Sequence, residues 1–178
     1  MTSYILTKPM PTTNVNLQTL LQVVGASIFI ALCAHITIPL FFTPTPLSMV
    51  TLSIMLVGGV LGSKRGLASM LLFLGMGSLG LPVYYNYTFA MTALVGYKIG
   101  HVVLAYLTGW YVENYPKSSI PKTVCALVFF CFIQMSFGVL VLGNFVGWNQ
   151  VLLMGFYPFI PGEILKSVIA AKYLASKK

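Results

Sequence analysis

The sequence predicts an all-α integral membrane protein of six transmembrane helices with both termini cytoplasmic, and three observations carry that prediction. Hydrophobic residues make up 58% of the chain and charged residues only 7%, whereas a soluble domain carries about a quarter charged residues. The 178 residues, at about 20 per crossing, leave room for roughly six spans joined by short loops and for no separate soluble domain. Finally, Lys and Arg residues occupy every second loop between the apolar runs. Ten of them stand against two acids, a formal charge of +8. In a soluble protein that excess points to nucleic acid; in so apolar a chain it marks cytoplasmic loops, and no nucleic-acid partner is expected.

Residues 1–14 are read as a cytoplasmic N-terminal segment, polar and proline-containing, with Lys8 its only charge. Residues 15–178 are read as a single six-helix transmembrane domain. The first apolar run is longer than a signal-peptide core, so it is read as a retained helix. Apolar runs place the spans at 20–40, 47–61, 67–83, 92–111, 123–143 and 151–174. The second and third, about 15 to 17 residues, barely cross the hydrocarbon, so each must stand upright, thin the bilayer or be shielded by its neighbours. Strands are a poor alternative, because a membrane barrel needs alternating segments of roughly ten residues rather than long continuous apolar runs.

Charge sets the orientation. Lys8 precedes the first span, Lys64 and Arg65 lie between the second and third, Lys117 and Lys122 between the fourth and fifth, and Lys177 and Lys178 follow the sixth, while loops 42–46, 84–88 and 144–150 hold no Lys or Arg. Positive residues favour the cytoplasmic side, which an even number of crossings satisfies. The uncharged loops are rich in aromatic residues: Phe41, Phe42, Tyr84, Tyr85, Tyr87, Phe145, Trp148 and Tyr157. They form either an interfacial belt or the wall of an outer pocket.

Two pairs of ionisable side chains inside the spans are the informative ones. Pro158 and Pro161 remove two backbone donors, so a helix begins or breaks there and Glu163 lies near its start, where the helix dipole favours a carboxylate. Lys166, three residues on, shares its face. Ionisable groups at membrane depth cost at least about 2.5 kcal/mol each and therefore face a cavity or a partner. The pair is either a staple for its own helix or a polar anchor for a bound solute. Lys98 and His101 form a second pair at helical spacing, and Glu163 or a ligand anion is the expected partner of Lys98. Small residues Ser27 and Ala31, with Gly25 and Ala34 nearby, make either a packing face within the bundle or a docking surface for another membrane protein.

Cys33, Cys125 and Cys131 show no paired spacing and read as core residues, so no metal site and no cofactor is expected. An intramembrane enzyme needs several carboxylates, a metal cluster or a nucleophile beside a base. With Glu113 placed in a cytoplasmic loop and Glu163 the only other acid, the chain is read as no enzyme. A channel or scaffold without a small ligand remains the alternative.

Several stretches together resemble the BioY family. They are Ala34-His35-Ile36-Thr37-Ile38-Pro39-Leu40 with Pro44-Thr45-Pro46, Gly58-Gly59-Val60-Leu61-Gly62 with Lys64-Arg65-Gly66, Gly80-Leu81-Pro82-Val83, and Pro158-Phe159-Ile160-Pro161-Gly162-Glu163 with Lys166. The resemblance implies a biotin-specific substrate-binding S component of an energy-coupling factor transporter in the cell membrane, with its ligand near the outer face. It implies a transmembrane T component and two cytoplasmic ATPase subunits as partners, so ATP hydrolysis would lie with them; this chain has no P-loop. The family's Asp-x-x-Lys pair maps onto Glu163 and Lys166. Tyr84 and Asn86 occupy a shortened loop before Gly96-Tyr97, and Lys98 stands where an apolar residue is usual, so Tyr84, Asn86, Tyr97 and Lys98 complete the expected substrate contacts. Ser27, Ala31 and Ala34 are the expected docking surface for the T component. Glu in place of Asp moves the carboxylate by about 1 Å and calls for a compensating change nearby. Val50 stands where the family usually has Gln. Biotin is the expected ligand, with another small vitamin as the alternative.

Overall fold

The computed structural model describes residues 16–43, 45–84 and 93–176. Helix α1 (Leu17–His35) ends before a two-stranded antiparallel hairpin, β1 (Thr37–Ile38) against β2 (Leu47–Ser48), in which Thr37 faces Ser48 and Ile38 faces Leu47. The predicted first span ran on to residue 40 and no strand was foreseen. The cause is local: Ile38 precedes Pro39, which disfavours helical backbone at Ile38, and β-branched Ile36, Thr37 and Ile38 suit extended chain. The uncharged loop is therefore a tied hairpin.

Helix α2 (Val50–Leu61) follows. Its 12 residues span about 18 Å, too little to cross alone. Of the three expected solutions it adopts shielding: seven of its residues are buried, from Val50 to Gly58, among α1, α3 and the later helices α4 (Val95–Asn114) and α7 (Ile160–Ser176). Helix α3 (Ser63–Ser78) begins immediately beyond Gly62, whose φ of 85° is a left-handed conformation that glycine adopts without cost. It starts four residues before the predicted span because a carboxylate caps it. The Ser63 amide and hydroxyl donate to Glu113 at 2.9 and 2.7 Å. Glu113 itself lies in the last turn of α4 rather than in a loop. The free amides and positive dipole end of α3 draw that carboxylate in, so α4 continues beyond its apolar run.

Helix α5 (Ile120–Val146) carries Pro121 in its first turn and is the longest element. The last segment is broken: α6 (Val151–Gly155), a 3-10 turn at Tyr157–Phe159, then α7. Counting that segment once gives six helical bodies. Three of the described segments, Leu17–His35, Ile120–Val146 and Val151–Ser176, are long and apolar enough to cross a bilayer. The core is Ile30, Ile54, Met55, Met70, Leu104 and Leu127, all fully buried. Leu21, Leu32, Phe129, Leu140 and Leu165 stand exposed on the outer faces, an arrangement that lipid suits and water does not.

The Glu113 cap joins the α2–α3 corner to the end of α4, and Arg65 donates to Gln22 near the start of α1 at 3.0 Å. Lys64, Arg65, Lys117 and Lys122 accordingly gather at one end of the bundle. The hairpin, Tyr84 and the broken α6–α7 segment lie at the other, around a cavity.

Candidate functional site

The break between α6 and α7 builds the site. Pro158 and Pro161 offer no amide hydrogens, so the chain passes through a 3-10 turn and restarts as α7 with Glu163 in its first turn. The Tyr97 hydroxyl donates to the Gly155 carbonyl at 2.6 Å. This satisfies a carbonyl at the end of α6 and ties the break to α4. Glu163 and Lys166, each 6% exposed, form the ion pair that their spacing predicted, Lys166 Nζ lying 2.7 Å from Glu163 Oε1. It is the one ion pair among the described residues.

Thr51 on α2 completes the pair. Lys166 Nζ donates to Thr51 Oγ1 at 2.9 Å, and that hydroxyl donates to Glu163 Oε1 at 3.0 Å. All this hydrogen bonding falls on one carboxylate oxygen. Glu163 Oε2 is buried without a hydrogen-bond donor among the described residues. A carboxylate held in place by one oxygen and open at the other is what a binding group requires.

The pair faces a cavity of about 420 Å³, a size that suits a small organic ligand. The hairpin contributes Thr37 and Thr45 to its wall, α3 contributes Phe73, α5 contributes Gln134 and Met135, and Phe159 comes from the 3-10 turn. Lys98 and His101 line it from α4. His101 lies close enough to Lys98 and Lys166 for both charges to act on it. Two lysines, Lys98 and Lys166, and one acid, Glu163, thus share the cavity wall.

Lys98 does not meet Glu163. Its Nζ lies 4.4 Å from the centroid of the Tyr84 ring, and that ring packs edge-on against Phe73 with centroids 5.1 Å apart. A ring face attracts a cation through its quadrupole. The aromatic residues divide accordingly. Tyr84 turns into the cavity, whereas Phe41, Phe42, Phe145, Trp148 and Tyr157 are exposed, as an interfacial belt would be.

Of the expected substrate contacts, Glu163, Lys166, Tyr84, Tyr97 and Lys98 all line the one cavity; Asn86 lies outside the described residues. Of the expected docking residues, Ser27 and Ala34 are buried and Ala31 is half-buried. Ser27 is fully buried and donates to the Val23 and Ser69 carbonyls at 2.8 Å each, the latter on α3. Ala34 is 4% exposed and lines the cavity, and Ala31 packs against the core. A small polar residue in an apolar medium turns toward a helix that offers it an acceptor, so this stripe packs the bundle from within. Sequence reasoning missed Thr51 and Gln134. Threonine in a membrane helix ordinarily bonds to its own backbone and so carries no signal. Gln134, the one amide in the apolar run from Val124 to Val141, did carry one.

The BioY family profile matches residues 8–177. The biotin transporter BioY of Thermotoga maritima is 32% identical over 84% of this chain and 91% of its own length. The biotin transporter BioY of Rhizobium etli is 30% identical over 82% of this chain and 84% of its own. The fold is that of the crystal structure of the S-component for biotin from an ECF-type ABC transporter, with a TM-score of 0.80 at 23% identity over 94% of each chain. On the family match and these identities together, the chain belongs to the BioY family.

Proposed function

We propose that this chain binds biotin from outside the cell and carries it across the cytoplasmic membrane as the S component of an ECF-type transporter. The observation that carries the reading is the cavity itself, which joins apolar and aromatic walls to one buried carboxylate and two lysines. Biotin is the complement of that set. Its fused rings and pentanoate chain suit Phe73, Met135 and Phe159, its ureido N–H groups suit the Glu163 carboxylate, and its single carboxylate suits a lysine of the wall. Lys98, on α4 across the cavity from the Glu163–Lys166 pair, is the group assigned to the ligand carboxylate.

Both termini are cytoplasmic in this reading, because the loops at the cavity end carry no Lys or Arg and the opposite corners do. Transport then consists of closing over biotin outside and exposing it inside, the chain turning within the membrane against a T component while two ATPase subunits hydrolyse ATP. The chain performs binding without covalent chemistry.

Thermal stability of the purified protein in detergent tests the reading, with biotin, riboflavin and thiamin compared. A ligand that binds only the folded state raises stability according to its concentration and dissociation constant. Biotin alone should raise the midpoint. A shift with another vitamin in its place would keep the architecture and change the substrate, and no shift with any would leave a channel or scaffold.

A further inference from the structure

Gln134 is the only carboxamide among the described residues that line the cavity. It lies in the middle of α5, 2% exposed, and its Oε1 has no hydrogen-bond donor among the described residues. Its position is firmly set. A side chain at Gly100 would overlap the Gln134 backbone carbonyl, so α4 meets α5 at this level, between Lys98 and His101 on one side and Gln134 on the other. Burying an amide oxygen without a donor is destabilising, and the helix gains nothing from this residue that a leucine would not give.

Glu163 Oε2 and the hydroxyls of Thr37 and Thr45 on cavity-lining residues likewise have no hydrogen-bond partner among the described residues. A hydroxyl can donate as well as accept, whereas the carboxamide and carboxylate oxygens can only accept, one on α5 and one on α7, so the complement of these two is a ligand with two polar hydrogens rather than one. On the biotin reading, from which this inference starts, those are the two ureido N–H groups on either side of the ring carbonyl. We propose that Gln134 is a ligand-contacting specificity residue, its amide oxygen accepting one ureido N–H while Glu163 Oε2 accepts the other. The pair would reject ligands that match the apolar walls and the positive charge but lack two ring N–H groups, such as simple fatty acids. An apolar pocket cannot reject those by shape alone, whereas buried acceptors left unpaired can.

The test titrates the purified protein in detergent with biotin and with the two derivatives methylated on one or the other ureido nitrogen. In the wild type both derivatives should bind at least about tenfold more weakly than biotin, since each removes one donor. In Gln134→Met, biotin should weaken by about tenfold, and one of the two derivatives should lose no further affinity, because the bond it lacks is already gone. Lost packing would instead make the two effects additive. Gln134→Asn, which draws the amide back by one methylene, is the second variant should Met not fold, with the same direction expected. If neither folds, the wild type decides, and a methylated form that binds as tightly as biotin overturns the proposal. Wild-type biotin affinity in folded Gln134→Met, or additive losses, overturns it while leaving the biotin reading intact. A wild type that ignores biotin removes both.

Discussion

The chain has two acids, and the structure uses them in opposite ways. Glu113, exposed at the end of α4, commits both oxygens to Ser63 on α3. Glu163, buried at the start of α7, gathers Lys166 and Thr51 on one oxygen and leaves the other facing a cavity. Each carboxylate meets the electropositive end of a helix, so helix electrostatics alone does not separate them. What separates them is remaining capacity. A carboxylate whose acceptors are both filled by its own chain joins two helices, and one with an unfilled acceptor in a buried site is destabilising until something donates to it. At equal sequence scarcity, burial together with unfilled hydrogen-bonding capacity is what assigns Glu163 rather than Glu113 to the proposed ligand.

The sharpest way to break this contrast is at Glu163. Glu163→Gln should reduce biotin affinity by about a hundredfold or more, because it loses a charge-assisted acceptor and strands the Lys166 ammonium in a buried site. Isothermal titration in detergent reads this directly, and near wild-type affinity would place the ligand elsewhere. Stability sharpens the point. Lys166→Met alone leaves a buried carboxylate unmatched and should cost about 3 kcal/mol or more, whereas the double variant Glu163→Leu with Lys166→Met should recover most of that stability and bind no biotin. Recovery of binding in the double variant would return the pair to the role of a helix staple.

Lys98→Met comes next. It should weaken biotin by about tenfold and abolish the preference for free biotin over its methyl ester, since Lys98 is the group assigned to the ligand carboxylate. A variant that still prefers the acid would assign the carboxylate to another group. The smallest effect belongs to the other acid. Glu113→Ala should lower stability by about 1 to 2 kcal/mol through loss of a helix cap while leaving biotin affinity within about twofold. Thermal unfolding and titration of the same preparation check both halves, and a large loss of affinity would join the α2–α3 corner to the site.

Much of this was legible in the sequence because it rests on local chemistry. Two prolines followed by Glu163 specify a broken helix with an acid in its new first turn, and i, i+3 spacing specifies that Lys166 meets it. Some helix ends were less legible, because they depended on partners far along the chain. Residue 63 starts α3 only because residue 113 caps it. The small-residue stripe stayed open between two readings for the same reason. Ser27 looks alike whether it packs or docks until the Ser69 carbonyl appears opposite it.

The sequence by itself determined the solvent, the six-fold alternation of apolar runs and charged loops, the broken last segment and its ion pair. Hydropathy, loop charge and proline chemistry act over a few residues and hold whatever the rest of the chain does. Only the tertiary structure decided that Thr51, Lys98, Gln134 and Glu163 share one cavity, that Lys98 rests on Tyr84, and that one acid is spent while the other is open. These are relations between side chains brought together from different helices, and hydrogen-bonding capacity becomes countable only once every neighbour is in place.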